Sequence, residues 1–293
     1  MSFTLPSFAK INLHLEVLGK RSDGYHDLCT IFQTVSLHDT LDFEKSGELR
    51  LTCDDPQIPT DGRNLIVAAA NLLKERSNVD SGAEIHLEKR IPSPGGLGGG
   101  SSNAAAALVG LARLWDIEIS MAELVEIAVE IGSDVPFFLY GGTAAGTGRG
   151  TDITRMNDFD GKYMLIVTPD VAVSTRKAFE GLNLTTTGAK SILNNCRFDG
   201  ESIDLQRAAL RNDFETTVFA AHPEIGNVKR TLLHLGARQA LMSGSGASVF
   251  GIFDKEETRQ ATQKALEKNL NWRMFAVAAI SRQSYREALG ITF

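Results

Sequence analysis

The stretch RIPSPGGLGGGSSNAAAAL (residues 90–108) decides the prediction, because a glycine-rich run leads directly into a strong helix former. Five of the six positions from Gly95 to Gly100 are glycine, and four alanines occupy 104–107. Glycine adopts positive φ easily and lets a ligand approach the backbone closely. A helix that begins at Ser101 or Ser102 would add unpaired N–H groups and the positive end of its dipole. The stretch therefore predicts an anion site, most simply for phosphate.

Neither common phosphate-binding pattern fits this loop. Gly95 and Gly100 have the spacing of GxxxxGK[ST], but Ser101 stands where that pattern needs lysine. In the register of GxGxxG from Gly96, the last position is again Ser101. The alternative is a flexible surface hinge. We favour the anion site, because a hinge has little reason to run straight into a helix.

Composition excludes several classes of protein. The chain has 293 residues, which allows one large domain or two ordinary ones. Its net charge of −6 argues against a nucleic-acid or membrane-surface protein, and no apolar run is long enough to span a membrane. The charges Lys10 and Glu16 come too early for the apolar core of a signal peptide, so we expect none in this sequence. Cys29, Cys53 and Cys196 are widely spaced without CxxC, so we expect neither a disulfide framework nor a structural zinc site. This use of cysteine fits a cytoplasmic location, which we also expect.

The periodicity of the chain predicts mixed helices and strands. The first 53 residues alternate in the manner of strands, as INLHLEV (11–17) does most clearly. Helical spacing is found at 64–76, 101–114, 120–132 and 255–268, and strand patterns at 83–91, 162–169 and 274–280. The segment 237–254 has the pattern of two strands joined by a tight loop. Ser120 and Glu123 form a capping-box pattern. Because strands and helices do not alternate steadily, we expect an α+β fold. We expect a domain boundary near 150–160, soon after the glycine-rich stretch at 141–151.

Four polar features each allow two interpretations. MSGSGAS (242–248) is either a second cradle of backbone amides or an ordinary hairpin turn. Lys10 is either a functional cation or the edge residue of a strand with its ammonium in solvent. Asp134, just before VPFFL, is either a functional carboxylate or a turn and capping residue. SDGYHD (22–27) is either a recognition segment or a polar turn.

Taken together and in order, four segments resemble the GHMP kinases. They are FAKINLHLEVLGKRSDGYHDL, IPSPGGLGGGSSNAA, GSDVPFFLYGGTAAGTGRG and LMSGSGASVF. The resemblance implies a two-domain α+β fold. A ribosomal-protein-S5-like ATP-binding domain would occupy residues 1–155 and a ferredoxin-like domain residues 156–293, with the active site in the cleft between them.

The resemblance also implies roles for particular residues. Lys10 and Asp134 would be the catalytic pair, and Gly244, Ser245 and Gly246 would help to shape the phosphate site. The ATP phosphate loop would consist of Pro92, Ser93, Pro94, Gly95, Gly96, Leu97, Gly98, Gly99, Gly100, Ser101 and Ser102. Ser93 and Pro94 depart from the flexible Gly or Ala of the family pattern. The substrate would contact Asn12, Tyr25, His26, Thr175 and Phe179.

The N-terminal segment FAKINLHLEVLGKRSDGYHDL resembles one branch of the family, whose substrate is cytidine diphosphate methylerythritol. This implies ATP-dependent phosphorylation of its 2-hydroxyl in the non-mevalonate isoprenoid pathway. Mg²⁺ would bridge the ATP phosphates, without a dedicated protein motif for the metal. The expected partners are ATP and the small-molecule substrate, with no nucleic acid, membrane or obligate protein partner. Two alternatives stay open: another GHMP-type kinase acting on mevalonate, homoserine or a sugar, and a non-catalytic nucleotide-binding module.

Overall fold

Two β-sheets organise the molecule, and the computed structural model describes residues 2–182 and 210–291. The strands of the first sheet are β1 (Ser2–Lys20), β2 (His26–Ser46), β3 (Leu49–Cys53), β4 (Gly82–Glu88), β5 (Thr143–Thr147) and β6 (Asp152–Arg155). They have the order β3-β4-β2-β5-β6, and β1 pairs with β2. All of its pairings are antiparallel except that of β3 with β4.

The strands of the second sheet are β7 (Tyr163–Pro169), β8 (Gln239–Met242), β9 (Val249–Phe253) and β10 (Trp272–Val277). They are antiparallel and have the order β10-β7-β9-β8. Helices and strands are therefore mixed without regular βαβ alternation, and the α+β prediction is confirmed.

Nine helices occur in the part of the chain that the structure describes. They are α1 (Leu65–Ser77), α2 (Gly99–Leu114), α3 (Met121–Ile131), α4 (Phe137–Tyr140), α5 (Thr175–Glu180), α6 (Phe214–Ala221), α7 (Pro223–His234), α8 (Glu256–Leu266) and α9 (Arg282–Leu289). The predicted Ser120–Glu123 capping box is present at α3. Asn64 starts α1 by accepting a hydrogen bond from the Ile66 amide.

Helix α2 corrects one expectation, since it begins at Gly99 rather than at Ser101 or Ser102. Its N-cap is Gly98, whose φ of +69° lies in the left-handed region, and no side chain caps it. Two glycines thus form the start of the first turn. Similarly, the strand predicted at 83–91 ends at Glu88, and the strand predicted at 11–17 extends over all of β1.

Each sheet has its own apolar core. The first lies between the first sheet and α1–α3, where Ala104, Ala107 and Leu108 of α2 are fully buried. Alanines let this helix pack closely on the sheet. The second core joins the second sheet to α6 and α7. The last helix, α9, returns to the first core through Tyr285 and Leu289, so the division at residues 155 and 156 stays a prediction.

The cysteines and helix lengths bear on two further expectations. Cys53 carries a free thiol. Cys29 takes part in a disulfide, which the spacing of the cysteines did not predict. Cys196 lies outside the described residues. Within residues 2–182 and 210–291, no helix has the length and apolar character needed to cross a membrane.

Replacing Leu289 with alanine tests the packing of α9 on the first core. Leu289 is 1% exposed, and truncating such a side chain costs about 2–5 kcal/mol of unfolding free energy. Leu270 is 93% exposed, so Leu270→Ala is the matched control and should change stability by less than about 0.5 kcal/mol. Denaturant unfolding measures both variants. Equal stabilities of the two variants would contradict the placement of α9.

Candidate active site

A cleft of about 940 Å³ brings together most of the sequence-predicted site residues. Those that line it are Lys10, Asn12, Tyr25, His26, Pro94, Gly96, Gly98, Asp134, Thr175, Phe179, Gly244, Ser245 and Gly246. Eight positions of the predicted phosphate loop do not line it: Pro92, Ser93, Gly95, Leu97, Gly99, Gly100, Ser101 and Ser102. Leu97 is instead part of an apolar cluster.

The glycine loop leads into the first turn of α2. The Ser102 amide donates to the Gly98 carbonyl at 2.8 Å and closes the first helical hydrogen bond. The amides of Gly99, Gly100 and Ser101 precede that bond and have no partner within the helix. The Lys10 amide donates to the Leu97 carbonyl at 3.0 Å, which fixes the loop against β1. The arrangement presents unpaired N–H groups at the positive end of a helix dipole.

The second glycine-rich segment packs directly on the first. MSGSGAS joins β8 to β9, so it is the connection of an antiparallel pair and also a wall of the cleft. Gly96 has a φ of +72°, and a Cβ there would lie 2.1 Å from the Ser243 carbonyl oxygen. The Ser243 hydroxyl donates to the Gly96 carbonyl at 2.9 Å. Position 96 therefore requires glycine, because its φ is positive and because a Cβ would collide with the Ser243 carbonyl oxygen.

Lys10 extends its side chain into the cleft rather than into solvent. It is 3% exposed, so the interpretation as an edge lysine is wrong. Its Nζ donates to Asn12 Oδ1 at 2.6 Å and lies 3.5 Å from Asp134 Oδ2. The side-chain nitrogen of Asn12, Nδ2, donates in turn to the Thr30 hydroxyl at 2.8 Å. Asn12 thus holds the ammonium group in position.

Asp134 lies in the turn between α3 and α4. Its neighbours Val135 and Phe137 are fully buried and anchor the turn. The side chain of Asp134 is 36% exposed, so a ligand in the cleft can reach its carboxylate. This carboxylate and the Lys10 ammonium form an ion pair on the wall of the cleft.

The DGYH turn lies where the β1–β2 hairpin closes. Arg21 braces it through ion pairs with Asp23 and Asp27. Tyr25 is 50% exposed, and the guanidinium carbon of Arg149 lies 3.6 Å from the centre of its ring. A guanidinium over a tyrosine ring is a favourable cation–π contact.

Two rings from the second half of the chain, those of Phe179 and Phe214, form an aromatic group with His26 of this turn. The rings of His26 and Phe179 are stacked, with centroids 4.6 Å apart and an interplanar angle of 17°. Phe214 meets Phe179 edge to face at 4.7 Å. Thr175, on the same helix as Phe179, exchanges a 2.8 Å hydrogen bond with the Ser245 hydroxyl. Helix α5 therefore connects the aromatic group to the second glycine segment.

The pKa of His26 is lowered from its ordinary value, first by burial and then by the charge of Lys20. Both causes disfavour the imidazolium form. Since the pKa is ordinarily about 6.5, His26 is neutral at pH 7. A neutral imidazole has one nitrogen that donates and one that accepts a hydrogen bond.

The charges around the cleft differ from the charge of the whole chain. Four cationic side chains line it, those of Lys10, Lys20, Arg149 and Arg176. They face two carboxylates, those of Asp134 and Glu180. An excess of two positive charges in a chain of net charge −6 favours a strongly anionic ligand.

Sequence reasoning assigned no role to several residues of the cleft. Arg149 is part of a quoted segment, GTGRG, and its position between two glycines was a local indication of a functional side chain. Phe214 gave no local indication, because only the tertiary fold brings it to Phe179. Lys20 lies within the segment FAKINLHLEVLGKRSDGYHDL but received no role of its own, although it lines the cleft.

Comparisons with known proteins agree with this geometry. The model of the GHMP kinases N terminal domain matches residues 64–142, and that of the GHMP kinases C terminal domain matches residues 197–271. The chain belongs to the GHMP kinases. The family consists of ATP-dependent small-molecule kinases, and the two-domain fold of the GHMP kinases is the one observed here.

Individual relatives cover nearly the whole chain of this GHMP kinase. The 4-diphosphocytidyl-2-C-methyl-D-erythritol kinase of Syntrophotalea carbinolica is 40% identical over 96% of the chain and 99% of that protein. The enzyme of the same name from Acetivibrio thermocellus is 38% identical over 95% and 99%. A crystal structure of 4-(cytidine 5'-diphospho)-2C-methyl-D-erythritol kinase has 32% identity and a TM-score of 0.75, covering 95% of this chain and 99% of that one.

A more distant structure agrees in fold. Homoserine kinase from Cytophaga hutchinsonii superposes with a TM-score of 0.72 at 21% identity, covering 97% of this chain and 96% of that one. Identity this low concerns the fold alone.

Replacing Phe179 with alanine should raise the pKa of His26 towards its ordinary value. Removal of the stacked ring exposes the imidazole, and burial is the main cause of the lowered pKa. NMR titration of the imidazole measures the change. Phe219→Ala, on α6 and not lining the cleft, is the matched control and should leave the titration unchanged. An unaltered His26 pKa in Phe179→Ala would contradict the stacking.

Proposed function

We propose that this GHMP kinase transfers the γ-phosphoryl group of ATP to the 2-hydroxyl of 4-diphosphocytidyl-2-C-methyl-D-erythritol, in the non-mevalonate isoprenoid pathway. The observation that carries the proposal is one cleft lined by residues of both glycine-rich segments, a lysine–carboxylate pair and an aromatic group. The relatives named for this activity, at about 40% identity over nearly the full chain, support the substrate. We also propose a cytoplasmic location, where ATP is supplied.

The glycine loop would hold the phosphates of ATP. Amides of the first turn of α2 donate to phosphate oxygens, and the helix dipole favours their charge. Gly244, Ser245 and Gly246 would close the site from the second domain. Pro92, Ser93 and Pro94 would set the entry to the loop, and Leu97 would anchor it in the core.

Lys10 and Asp134 would act on the reacting atoms. Phosphoryl transfer requires positioning and charge stabilisation more than covalent chemistry. The Asp134 carboxylate would accept the proton of the 2-hydroxyl while the hydroxyl oxygen bonds to the γ-phosphorus and ADP leaves. Lys10 at 3.5 Å would stabilise the ionised carboxylate and the charge on the transferring group. Asn12 would act by holding the ammonium.

The cytidine end of the substrate would occupy the other part of the cleft. Tyr25 and Phe179 offer aromatic faces for the base, and neutral His26 offers one donor and one acceptor. Thr175 would fix α5 against the second glycine segment. The excess positive charge of the cleft suits a substrate with a diphosphate group.

Mg²⁺ belongs to the proposal as the partner of ATP. Among the described residues no cluster of three or more His, Cys, Asp or Glu side chains could hold a metal ion. Mg²⁺ favours carboxylates, phosphate oxygens and water in such sites. The ion would therefore be held chiefly by phosphate oxygens and water, and it would neutralise part of the phosphate charge.

A coupled assay of ADP release tests the proposed substrate. Cytidyl methylerythritol, mevalonate, homoserine and a sugar are offered in turn with MgATP. The proposal predicts release with the cytidyl substrate. Release with another alcohol only would identify a different GHMP-type kinase, and ATP binding without any turnover would identify a non-catalytic nucleotide-binding module.

Asp134→Asn should lower kcat by about 10²–10⁴-fold, the usual contribution of a general base. The change is nearly isosteric but removes the proton acceptor, so KM for ATP should change little. Steady-state kinetics measure both constants. Lys10→Met is the companion variant, which keeps an apolar stem and removes the ammonium. A near-normal kcat in Asp134→Asn would exclude the assigned role of this carboxylate.

Tyr25→Ala should raise KM for the cytidyl substrate by about tenfold and leave KM for ATP nearly unchanged. The expectation uses the free energy of about 1–3 kcal/mol that stacking on an aromatic ring contributes per base. Tyr25→Phe keeps the ring and is the matched control. Equal increases in both KM values would rule out a specific contact with the cytosine.

A further inference from the structure

We propose that Asp39 is a positioning residue that fastens together the two ends of the loop 92–102 and so aligns its amides on the phosphates of ATP. The inference rests on the proposed function. Asp39 lies in β2 and does not line the cleft.

The Asp39 carboxylate is 0% exposed and accepts four hydrogen bonds. Its Oδ1 accepts from the Arg90 amide and the Ile91 amide, both at 2.7 Å. Its Oδ2 accepts from Lys89 Nζ at 2.7 Å and from Asn103 Nδ2 at 2.9 Å. Both oxygens are thereby satisfied, as a buried carboxylate requires.

The four donors come from the two ends of one loop. Residues 89–91 directly precede the loop 92–102, and Asn103 directly follows it. A glycine-rich segment loses much conformational entropy when it is ordered. Joining both ends to one buried carboxylate reduces the conformations open to the loop before ATP arrives. Asp39 therefore acts on the phosphate site through the backbone.

The same hydrogen bonds extend to the strand that carries Lys10. Asn103 Nδ2 also donates to the Ser7 hydroxyl at 2.9 Å, and Ser7 donates to the Ser102 hydroxyl at 2.8 Å. Ser7 belongs to β1, three residues before Lys10. The position of the loop is thus linked to the strand of the proposed catalytic lysine.

The negative charge of Asp39 is necessary for this arrangement. The Lys89 ammonium is 5% exposed and has this carboxylate as its ion-pair partner. With an amide in place of the carboxylate, the buried ammonium loses its counterion, and one carboxylate acceptor becomes a donor that faces other donors. The ends of the loop should then separate, while the proposed cytidine-binding residues of α5 and of the turn between β1 and β2 stay unchanged.

Asp39→Asn should raise the Kd for MgADP by about tenfold, equivalent to about 1.4 kcal/mol of binding free energy, because the loop amides would no longer be preorganised for the phosphates. KM for ATP should rise in parallel, with KM for the alcohol substrate unchanged. Calorimetric titration with MgADP and steady-state kinetics measure these constants. Asp42→Asn, on the same strand but exposed, removes the same charge as a matched control and should bind MgADP normally.

Asn103→Ala removes one donor only and keeps the test valid if Asp39→Asn does not fold. It should weaken MgADP binding in the same direction by a smaller factor. Normal MgADP affinity in the folded variants, or equal increases in both KM values, would overturn the inference. Failure of the unaltered protein to bind MgADP would instead refute the proposed function.

Discussion

The buried ammonium group of Lys10 is the constraint on which the rest of the site depends. Burial of a charge is costly unless it is paired and hydrogen-bonded. Asn12 and Asp134 supply these partners. The side chain also needs the space that glycine leaves at position 98, because a Cβ there would lie 3.1 Å from its Cε. The glycine loop therefore accommodates the lysine as well as the proposed phosphate ligand.

The β1–β2 hairpin is the frame that relates the two ends of the cleft. Lys10 lies midway along β1, and His26 pairs with Lys20 where the hairpin closes. The second sheet and α5 supply the opposite wall, through Gly244 and Phe179. A single continuous strand thus separates the reacting groups from the aromatic group. In the proposed reaction, the 2-hydroxyl would lie at the Lys10 end and the cytosine at the His26 end.

The sequence predicts best those elements that are determined by residues close together along the chain. The capping box of α3, the alternation of β1 and the glycine loop before α2 were all visible in the sequence. The start of α2 at Gly99 was not, because helix propensity disfavours glycine and says nothing of the amides a loop presents. Phe214 meets Phe179, and Asp39 meets the two ends of the glycine loop, through tertiary contacts alone. The assignment of Asp134 and Tyr25 to chemical roles depended on the family resemblance.

A crystal structure with a non-hydrolysable ATP analogue, Mg²⁺ and the cytidyl substrate tests the central claim most directly. The account predicts the β- and γ-phosphates on the amides at the start of α2. It also predicts the 2-hydroxyl within about 3.2 Å of the Asp134 carboxylate, a distance that permits proton transfer. A triphosphate bound away from Gly98, or a 2-hydroxyl out of reach of Asp134, would contradict the account.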